Sequence, residues 1–411
     1  MIDLRRLRDE PEYRAGIERK RVRDGLLDET LAVDDEHRRL QREVEDLRSR
    51  QNAASKEIGR APADERPAKI EAASALKDEV TARETALSEV EARRRALLLQ
   101  IPNPADRSVP DGGEEDAEVV RVVGDTAPVP AFDHAAFGEQ LGLVEVRQAA
   151  EMSGSRFAFL QREAVLVRWV VERLVNEGFT PTVPPVLVRE HVMEEAGFFP
   201  TDRAQVYEVD GGELFLVGTS EVPLSALHRG EVIDGGGLPL RYAGVSTCFR
   251  REAGTYGKDT RGIFRVHQFD KVEMFSYAHP DESWDELERI LAIEESILRD
   301  LGLPYRVVNI AAGDLGAAAA KKYDIEAWLP SEGRYRELTS ASNYLDFSAR
   351  RLGTRVRLDG GTRPLHTLNG TACAIGRTLV FLFEHCQDPG GAFVVPEVLR
   401  PYTGFDRVDP R

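Results

Sequence analysis

Phe249-Arg-Arg-Glu-Ala-Gly254, followed by Thr255-Tyr-Gly-Lys-Asp-Thr-Arg-Gly262 and then by Phe264-Arg-Val-His-Gln-Phe-Asp-Lys-Val-Glu273, decides how the second half of this chain folds. The runs Leu240–Arg250 and Val266–Phe275 read as two strands flanking a glycine-rich, basic loop, an arrangement that favours antiparallel pairing. Arg250 ends the first strand, where a guanidinium can grip a phosphate with two parallel hydrogen bonds, and Glu252 can hold a metal ion or an adenine amino group. A second arginine, Arg377, opens an apolar helix in Leu368-Asn-Gly-Thr-Ala-Cys-Ala-Ile-Gly-Arg-Thr-Leu379. Arginines from such distant segments can converge on one triphosphate. No GxxxxGK[ST], no GxGxxG after an opening strand, no HExxH and no GxSxG occurs, so any phosphate chemistry here proceeds without a P-loop.

Outward from this pair, Glu213–Gly218 reads as another short strand, and helices are expected from Asp281 to Leu301 and from Gly376 to His385. Short strands, turn-rich connections and separate helices predict an α+β domain, an antiparallel sheet flanked by helices. Phe159–Asn176 is expected to be one helix with Leu160, Ala164, Val167, Val171 and Leu174 on its apolar face. The proline-broken run Gly178–Val188 suits a sheet edge or a subunit seam.

The first hundred residues are different. From Glu29 to Ile58, Val33, His37, Leu40, Val44, Leu47, Gln51, Ala54 and Ile58 recur at steps of three and four. Ala73, Leu76, Val80, Arg83, Leu87, Val90, Arg94 and Leu97 resume that spacing beyond Gly59–Pro67. These heptads predict an antiparallel helical coiled-coil arm over about 29–100, projecting by about 45 Å. A dimerising coiled coil or a spacer fits the same pattern. From Arg38 to Glu57 the basic Arg38, Arg39, Arg42, Arg48, Arg50 and Lys56 outnumber the acidic Glu43, Glu45, Asp46 and Glu57, a mildly basic stretch that points toward a polyanion. The heptads stop at Ile101-Pro-Asn-Pro, so the expected organisation is an N-terminal domain over 1–100, a linker over 101–132 with one strand near Val119–Val123, and a compact domain over 133–411.

The 411 residues carry 55 Lys and Arg against 71 Asp and Glu, a net charge of −16. Such acidity excludes indiscriminate coating of nucleic acid or anionic membrane, so a polyanion partner must meet a local basic surface. Hydrophobic residues at 42% and charged residues at 31% predict a folded, soluble chain. Cys248, Cys373 and Cys386 are too few for a disulfide framework or a cysteine-rich zinc site, which predicts a reducing, cytoplasmic setting and no zinc. With no signal-like N-terminus and no long apolar run, neither export nor membrane anchoring is expected.

Taken in order, Met1-Ile-Asp-Leu, the helical arm, Val217-Gly-Thr-Ser-Glu221, Phe249–Glu273, Arg336-Glu-Leu-Thr-Ser-Ala-Ser-Asn343 and Leu368-Asn-Gly-Thr through Gly376-Arg377 resemble the bacterial-type seryl-tRNA synthetases, class II aminoacyl-tRNA synthetases. The resemblance covers essentially the whole chain. It implies a class II catalytic domain, a homodimer joined partly around Pro185, and an arm that holds the long variable arm of serine tRNA through residues such as Arg38, Arg42, Arg50 and Lys56. It implies serine activation with ATP and Mg²⁺, then transfer to tRNA(Ser), with tRNA(Sec) open as a second acceptor. Arg250 and Arg377 would be catalytic, on the α- and γ-phosphates. Arg251, Glu252, Arg265, Val266, Phe269, Leu338 and Thr339 would line the ATP site, with Phe269 on adenine. Glu337 and Ser340 would bind Mg²⁺ beside ATP. Thr219, Ser220, Glu221, Glu273, Asn369 and Thr371 would hold serine, with a carboxylate on its ammonium group.

Taken singly these residues say less. Glu273 alternates with apolar residues and by itself is a solvated or paired surface carboxylate; Arg377 alone caps a helix, and Phe269 alone is core. Lys258 and Arg261 of the basic loop fit either solvent or ATP and the tRNA acceptor end. The chain departs from the family at Met193-Glu-Glu-Ala-Gly-Phe-Phe-Pro200, where Met-x-Gly-Thr-Gly and Leu-Pro are usual, at Phe381-Leu-Phe-Glu-His385 and at Val123-Gly. A divergent paralogue feeding a biosynthetic or resistance pathway, an amino acid:carrier-protein ligase and a non-catalytic RNA-binding paralogue are the rival readings. The arm counts against the carrier ligase, and intact Arg250, Glu273 and Arg377 count against the last.

Overall fold

The computed structural model describes residues 1–410 except 63, 163 and 255–261, so Lys258 and Arg261 lie outside the described residues. The chain divides into two compact units, one of Ile2–Arg14 with Val22–Ile101 and one of Met1, Ala15–Arg21 and Pro102–Arg411.

The first unit is built on two helices, α1 (Leu26–Arg60) and α2 (Arg66–Gln100). At 1.5 Å per residue, each 35-residue helix is about 52 Å long, somewhat longer than the heptads alone predicted. Val33, Leu40, Val44 and Leu47 of α1 are buried, as are Val80 and Leu97 of α2. Nearer the turn, Ala54, Ile58, Ala73 and Leu76 are only half-buried, so the apolar seam thins there. Seam residues Arg94 and Arg83 reach across to Asp34 (2.6 Å) and Glu43 (3.4 Å), while Arg48 bonds Glu84 at 2.8 Å. Asp34, 1% exposed, also receives Arg8 at 2.8 Å and Arg38 at 3.0 Å. These pairs fix which turn of α2 lies beside which turn of α1, a specification that Leu and Val, tolerant of sliding, do not supply. The arm residues Arg38, Arg42, Arg50 and Lys56 are all exposed.

The second unit centres on a mostly antiparallel sheet. In chain order its strands, among the described residues, are β1 (Glu118–Val123), β2 (Thr180–Thr182), β3 (Leu240–Phe249), β4 (Gln268–Ala278), β5 (Tyr305–Asn309), β6 (Lys321–Leu329), β7 (Arg334–Asn343) and β8 (His366–Ala374). They lie in the order β1-β5-β6-β7-β8-β4-β3-β2. Only β2, the proline-bearing edge, runs parallel to its neighbour β3. An edge strand can keep Pro181 because one side of it has no ladder to complete.

Helix α3 spans Ala164–Asn176, α4 Ser283–Asp300 and α5 Ile375–His385. The helix expected from Phe159 therefore starts five residues later. Phe159–Leu160 pairs instead with Val144–Glu145, and Arg162 takes a left-handed backbone (φ 68°) that no helix continues through. The buried face of α3 is Leu166, Trp169, Val170 and Leu174, of which only Leu174 belongs to the expected stripe; Ala164, Val167 and Val171 line a surface groove with Val183, Pro184 and Val186.

Against the sheet, α4 buries Leu287, Ile290, Leu291, Ile297 and Leu298 together with three glutamates, each with a partner. Glu286 accepts from Arg241 (2.7 and 2.6 Å) and Ser276, Glu295 from Arg121 (2.8 Å), and Glu294 from Thr339 (3.0 Å). Buried carboxylates hydrogen-bonded in this way are tolerated, and they pin the helix to particular strands. Gly370 of β8 is required where α4 crosses: a Cβ there would lie 2.3 Å from Ile290 Cγ2 and 2.7 Å from a Glu294 oxygen.

Candidate active site

Strands β3, β4, β7 and β8 carry the chemistry because they are neighbours in the sheet although far apart in sequence. Register places Glu273 of β4 opposite Thr371 of β8, and Phe275 opposite Asn369. A bulge between Val272 and Glu273 shifts this pairing. Bulges re-aim side chains, and here the result is a polar cluster inside the molecule.

Glu273 is fully buried. It accepts from Asn369 Nδ2 (2.9 Å) and Thr371 Oγ1 (3.4 Å) and is ion-paired with Lys271, itself buried. The same Asn369 Nδ2 donates to Glu221 at 2.8 Å, and the Tyr344 hydroxyl donates to Asn369 Oδ1 at 2.9 Å. Two buried carboxylates thus share one amide donor beside a single lysine. Burial first, then the neighbouring Glu273, pushes the Glu221 carboxyl up to about 7. Thr219 Oγ1 accepts from the Glu221 amide at 3.2 Å. Ser220 is buried against β3, where Gly244 is needed because a Cβ would sit 2.5 Å from Ser220 Oγ.

Contiguous with this cluster through Lys271 and Thr371 is a cavity lined by Arg250, Glu252, Phe264, Arg265, Val266, Phe269, Glu337, Leu338, Thr339, Ser340 and Arg377. Arg250 lies over the Phe269 ring (5.3 Å) and donates Nε–H to the Gly218 carbonyl at 3.3 Å. Arg265 bonds Glu252 at 3.3 Å, and Glu252 holds a left-handed backbone (φ 50°), a conformation costly for a side chain and common where a chain meets a ligand. Arg377 reaches from the first turn of α5 to the Glu337 carboxylate (3.6 Å) and carbonyl (3.2 Å), and with Arg336 it flanks the Phe264 ring. Burial alone would raise the Glu337 carboxyl, but Lys322, then Arg377 and Arg250, hold it down at about 2. Burial lowers Arg377 from its ordinary value. The cavity therefore offers several cations and one firmly ionised carboxylate, which is what a bound polyphosphate with its counter-cation requires.

Most of the residues expected from sequence meet here. Arg251 does not: it is exposed, lines neither group, and its amide donates to the Gln205 carbonyl at 2.8 Å. Ser220 and Glu221 lie outside the cation-lined cavity, Glu221 within the polar cluster and Ser220 beneath β3. Sequence reading missed Lys271, Tyr344 and Phe264. Lys271 had a usable signal, since residues two apart on one strand share a face and Glu273 was already singled out. Tyr344 and Phe264 had none, because each lies in a loop outside the strands.

An antiparallel sheet with arginines from the end of β3 and the first turn of α5 converging on a phosphate-sized cavity, with no P-loop, is the arrangement of a class II aminoacyl-tRNA synthetase core. Residues 206–386 match the tRNA synthetase class II core domain (G, H, P, S and T), and residues 1–105 match the seryl-tRNA synthetase N-terminal domain. The chain belongs to the seryl-tRNA synthetase family. It is 48% identical to the serine–tRNA ligase of Acidothermus cellulolyticus, covering all of both chains, and 46% identical to that of Thermobifida fusca over 100% of this chain and 99% of the other. Among solved structures, seryl-tRNA synthetase from Pyrococcus horikoshii complexed with ATP superposes with a TM-score of 0.91 at 37% identity over the full length of both chains. The cytoplasmic serine–tRNA ligase of Naegleria fowleri in complex with AMP gives a TM-score of 0.88 at 30% identity, over 100% of this chain and 99% of the other.

Proposed function

We infer that the chain is a serine–tRNA ligase: it activates L-serine with ATP to seryl-adenylate and pyrophosphate, then transfers serine to the 3′ end of tRNA(Ser). The observation that carries this reading is the continuity of the buried Glu221–Asn369–Glu273 cluster with the arginine-lined cavity, which suits an ammonium group held beside a polyphosphate. Serine would place its ammonium on Glu273 and Glu221 and its hydroxyl among Thr371, Asn369 and Thr219. A site built to bond a hydroxyl rejects alanine by a factor on the order of 10⁴, because the unmatched polar groups stay buried. Arg250 would grip the α-phosphate and Arg377 the γ-phosphate, neutralising charge as serine's carboxylate attacks in line, so that preorganised electrostatics and not a general base lowers the barrier. Phe269 would stack on adenine, with Glu252, Arg265 and the Val266 main chain around it.

Mg²⁺ fits the donors present. Among the described residues no group of three or more acidic, His or Cys side chains could cage a metal, but ionised Glu337 with the Ser340 hydroxyl suits a hard cation held mainly through substrate phosphates. When bound it would neutralise phosphate charge. We assign residues 1–100 as the tRNA-binding domain, with Arg38, Arg42, Arg50 and Lys56 toward the tRNA, residues 133–411 as the catalytic domain, and residues 101–132 as the connection that also lends β1 to the sheet. The groove of Val167, Val171, Val183 and Pro184, with Val183 83% exposed, supports a homodimer closed over this face. Three free thiols, Cys248 and Cys373 among them buried, suit a reducing cytoplasm, and no described helix is long and apolar enough to cross a membrane. The N-terminal family domain favours a tRNA acceptor over a carrier protein.

Serine-dependent ATP–pyrophosphate exchange followed by charging of tRNA(Ser) tests the whole reading. Exchange without charging would favour a carrier ligase, and absence of both would refute the enzyme. A pH dependence is also expected. Serine's ammonium beside Glu221 favours the ionised carboxylate, so the serine complex holds fewer protons than the empty site around pH 7. Affinity should therefore rise with pH up to about 7 and weaken by up to about tenfold per pH unit below it. The KM for serine in exchange, measured from pH 6 to pH 8 while the KM for ATP is followed as a control, reads this; a flat serine profile removes Glu221 from the ammonium site.

A further inference from the structure

Tyr344 lies in the turn that follows β7 and is 7% exposed. Its hydroxyl donates to Asn369 Oδ1 at 2.9 Å, while Nδ2 of the same amide donates to Glu221 at 2.8 Å and to Glu273 at 2.9 Å. An ionised carboxylate only accepts, so Nδ2 has to face the two glutamates and Oδ1 has to face a donor. The phenol is that donor. Burial first, then the Glu221 charge, pushes the phenol above its ordinary value, so it keeps the proton it donates. The turn that aims it is held from several sides. The Tyr344 amide donates to the Thr367 carbonyl at 2.9 Å and the Thr367 amide to the Leu345 carbonyl at 3.0 Å, which laces the turn to β8 two residues before Asn369. The Tyr344 carbonyl accepts from Asn103 Nδ2 at 2.8 Å, and Asn103, 2% exposed, gives the same group to the Ala318 carbonyl at 2.9 Å. Leu345 holds a left-handed backbone (φ 49°), costly for leucine, with its amide on Asn343 Oδ1 at 2.9 Å. Tyr344 itself packs in the apolar cluster of Ala105, Val109, Ile310 and Ala319.

We propose that Tyr344 is a positioning residue for serine, its hydroxyl fixing the Asn369 amide so that Glu221 and Glu273 keep their spacing around the incoming ammonium group. The inference rests on the ligase reading, in which these three side chains receive serine. Tyr344 lies outside the lining of the cation-lined cavity, so its influence falls on serine and not on ATP. The hydroxyl also acts on Glu221. Burial and then Glu273 push that carboxyl up, and among the groups that hold it down Tyr344 comes first, ahead of Lys271 and Arg250. The same oxygen therefore sets the direction of one serine-binding group and the charge of another. Through Asn103 and the Ala105–Val109 contacts, the stretch that follows the helical arm braces the serine pocket from behind.

The test compares full-length wild type with Tyr344→Phe, which removes one oxygen and keeps the packed ring. The KM values for serine and for ATP are measured in serine-dependent exchange from about pH 6.5 to about pH 8.5. With Oδ1 left buried and unmatched, the KM for serine should rise by at least about fivefold at pH 7 while the KM for ATP stays within about twofold. Without the phenol the Glu221 carboxyl rises further, and the serine complex holds fewer protons than the empty site, so the ratio of variant to wild-type serine KM should be largest at pH 7 and below and shrink toward pH 8.5. A residue that only supports the fold would move both KM values together and leave their ratios independent of pH; that result overturns the proposal, and so does an unchanged serine KM. Wild-type protein lacking exchange would overturn the ligase reading and this proposal with it, whereas active wild type with an unaffected Tyr344→Phe overturns this proposal alone.

Discussion

Glu273→Ala is expected to lower serine-dependent ATP–pyrophosphate exchange by at least about 10³-fold. The carboxylate is fully buried and is the shared partner of Lys271, Asn369 and Thr371. Its removal deletes the acceptor for serine's ammonium and leaves the Lys271 ammonium buried without its counter-charge, a situation that costs about 3–5 kcal/mol when one member of a buried pair is removed. Lys271 then competes for Glu221, so the second carboxylate does not take over. Because part of this loss falls on folding, the melting temperature and ATP binding should be followed alongside. Glu273→Gln, which keeps the shape and a hydrogen-bonding oxygen, should fold more stably than Glu273→Ala and still fail in exchange. Near-normal exchange in either variant would refute the assignment of Glu273 to the serine pocket.

Replacing residues 30–98 by a short Gly-Ser linker is expected to leave exchange within a few-fold of wild type and to reduce charging of tRNA(Ser) by at least about 10²-fold. Every side chain assigned to serine and ATP lies between Thr219 and Arg377, inside one compact unit, whereas the hairpin has its own apolar seam and its own ion pairs. What the deletion removes is a set of exposed cations, and each cation taken away from a phosphate lowers affinity and flattens its dependence on salt. Charging at an undiminished rate would mean that the arm is not the tRNA anchor. Loss of exchange as well would mean that the arm supports the catalytic unit itself.

The helices and the class of the sheet were legible in sequence for one reason: their periodicities are local. The α1 seam at Val33, Leu40, Val44 and Leu47 is buried as the heptads predict, and β3 and β4 form around the basic loop as the alternation predicts. Helix α3 shows where locality fails. Val167 and Val171 are as apolar as Leu166 and Val170, and only the position of the sheet decides which stripe is covered. Arg83 and Arg94 read as flaws in the α2 seam until Glu43 and Asp34 are found across from them.

The candidate site divides in the same way. The motifs that carry Arg250, Glu252, Glu273, Glu337, Asn369 and Arg377, together with the arm and Val217–Glu221, were enough for the chain to resemble one family, and that resemblance implied the reaction. The state of those residues was not there to be read. Glu273 looked like a surface carboxylate because a strand of alternating residues has one polar face, and that face is ordinarily wet. Here β8 and the Val272–Glu273 bulge turn it inward onto Asn369, next to Lys271, and the second carboxylate, Glu221, arrives from 52 residues away. The sequence by itself determined the helical arm, the antiparallel core and the list of groups able to meet phosphate and an amino acid. Only the tertiary structure decided which of them lose their water together, and so which carboxyl is pushed up and which is held ionised, since desolvation and Coulomb interaction depend on distances that no spacing along one chain encodes.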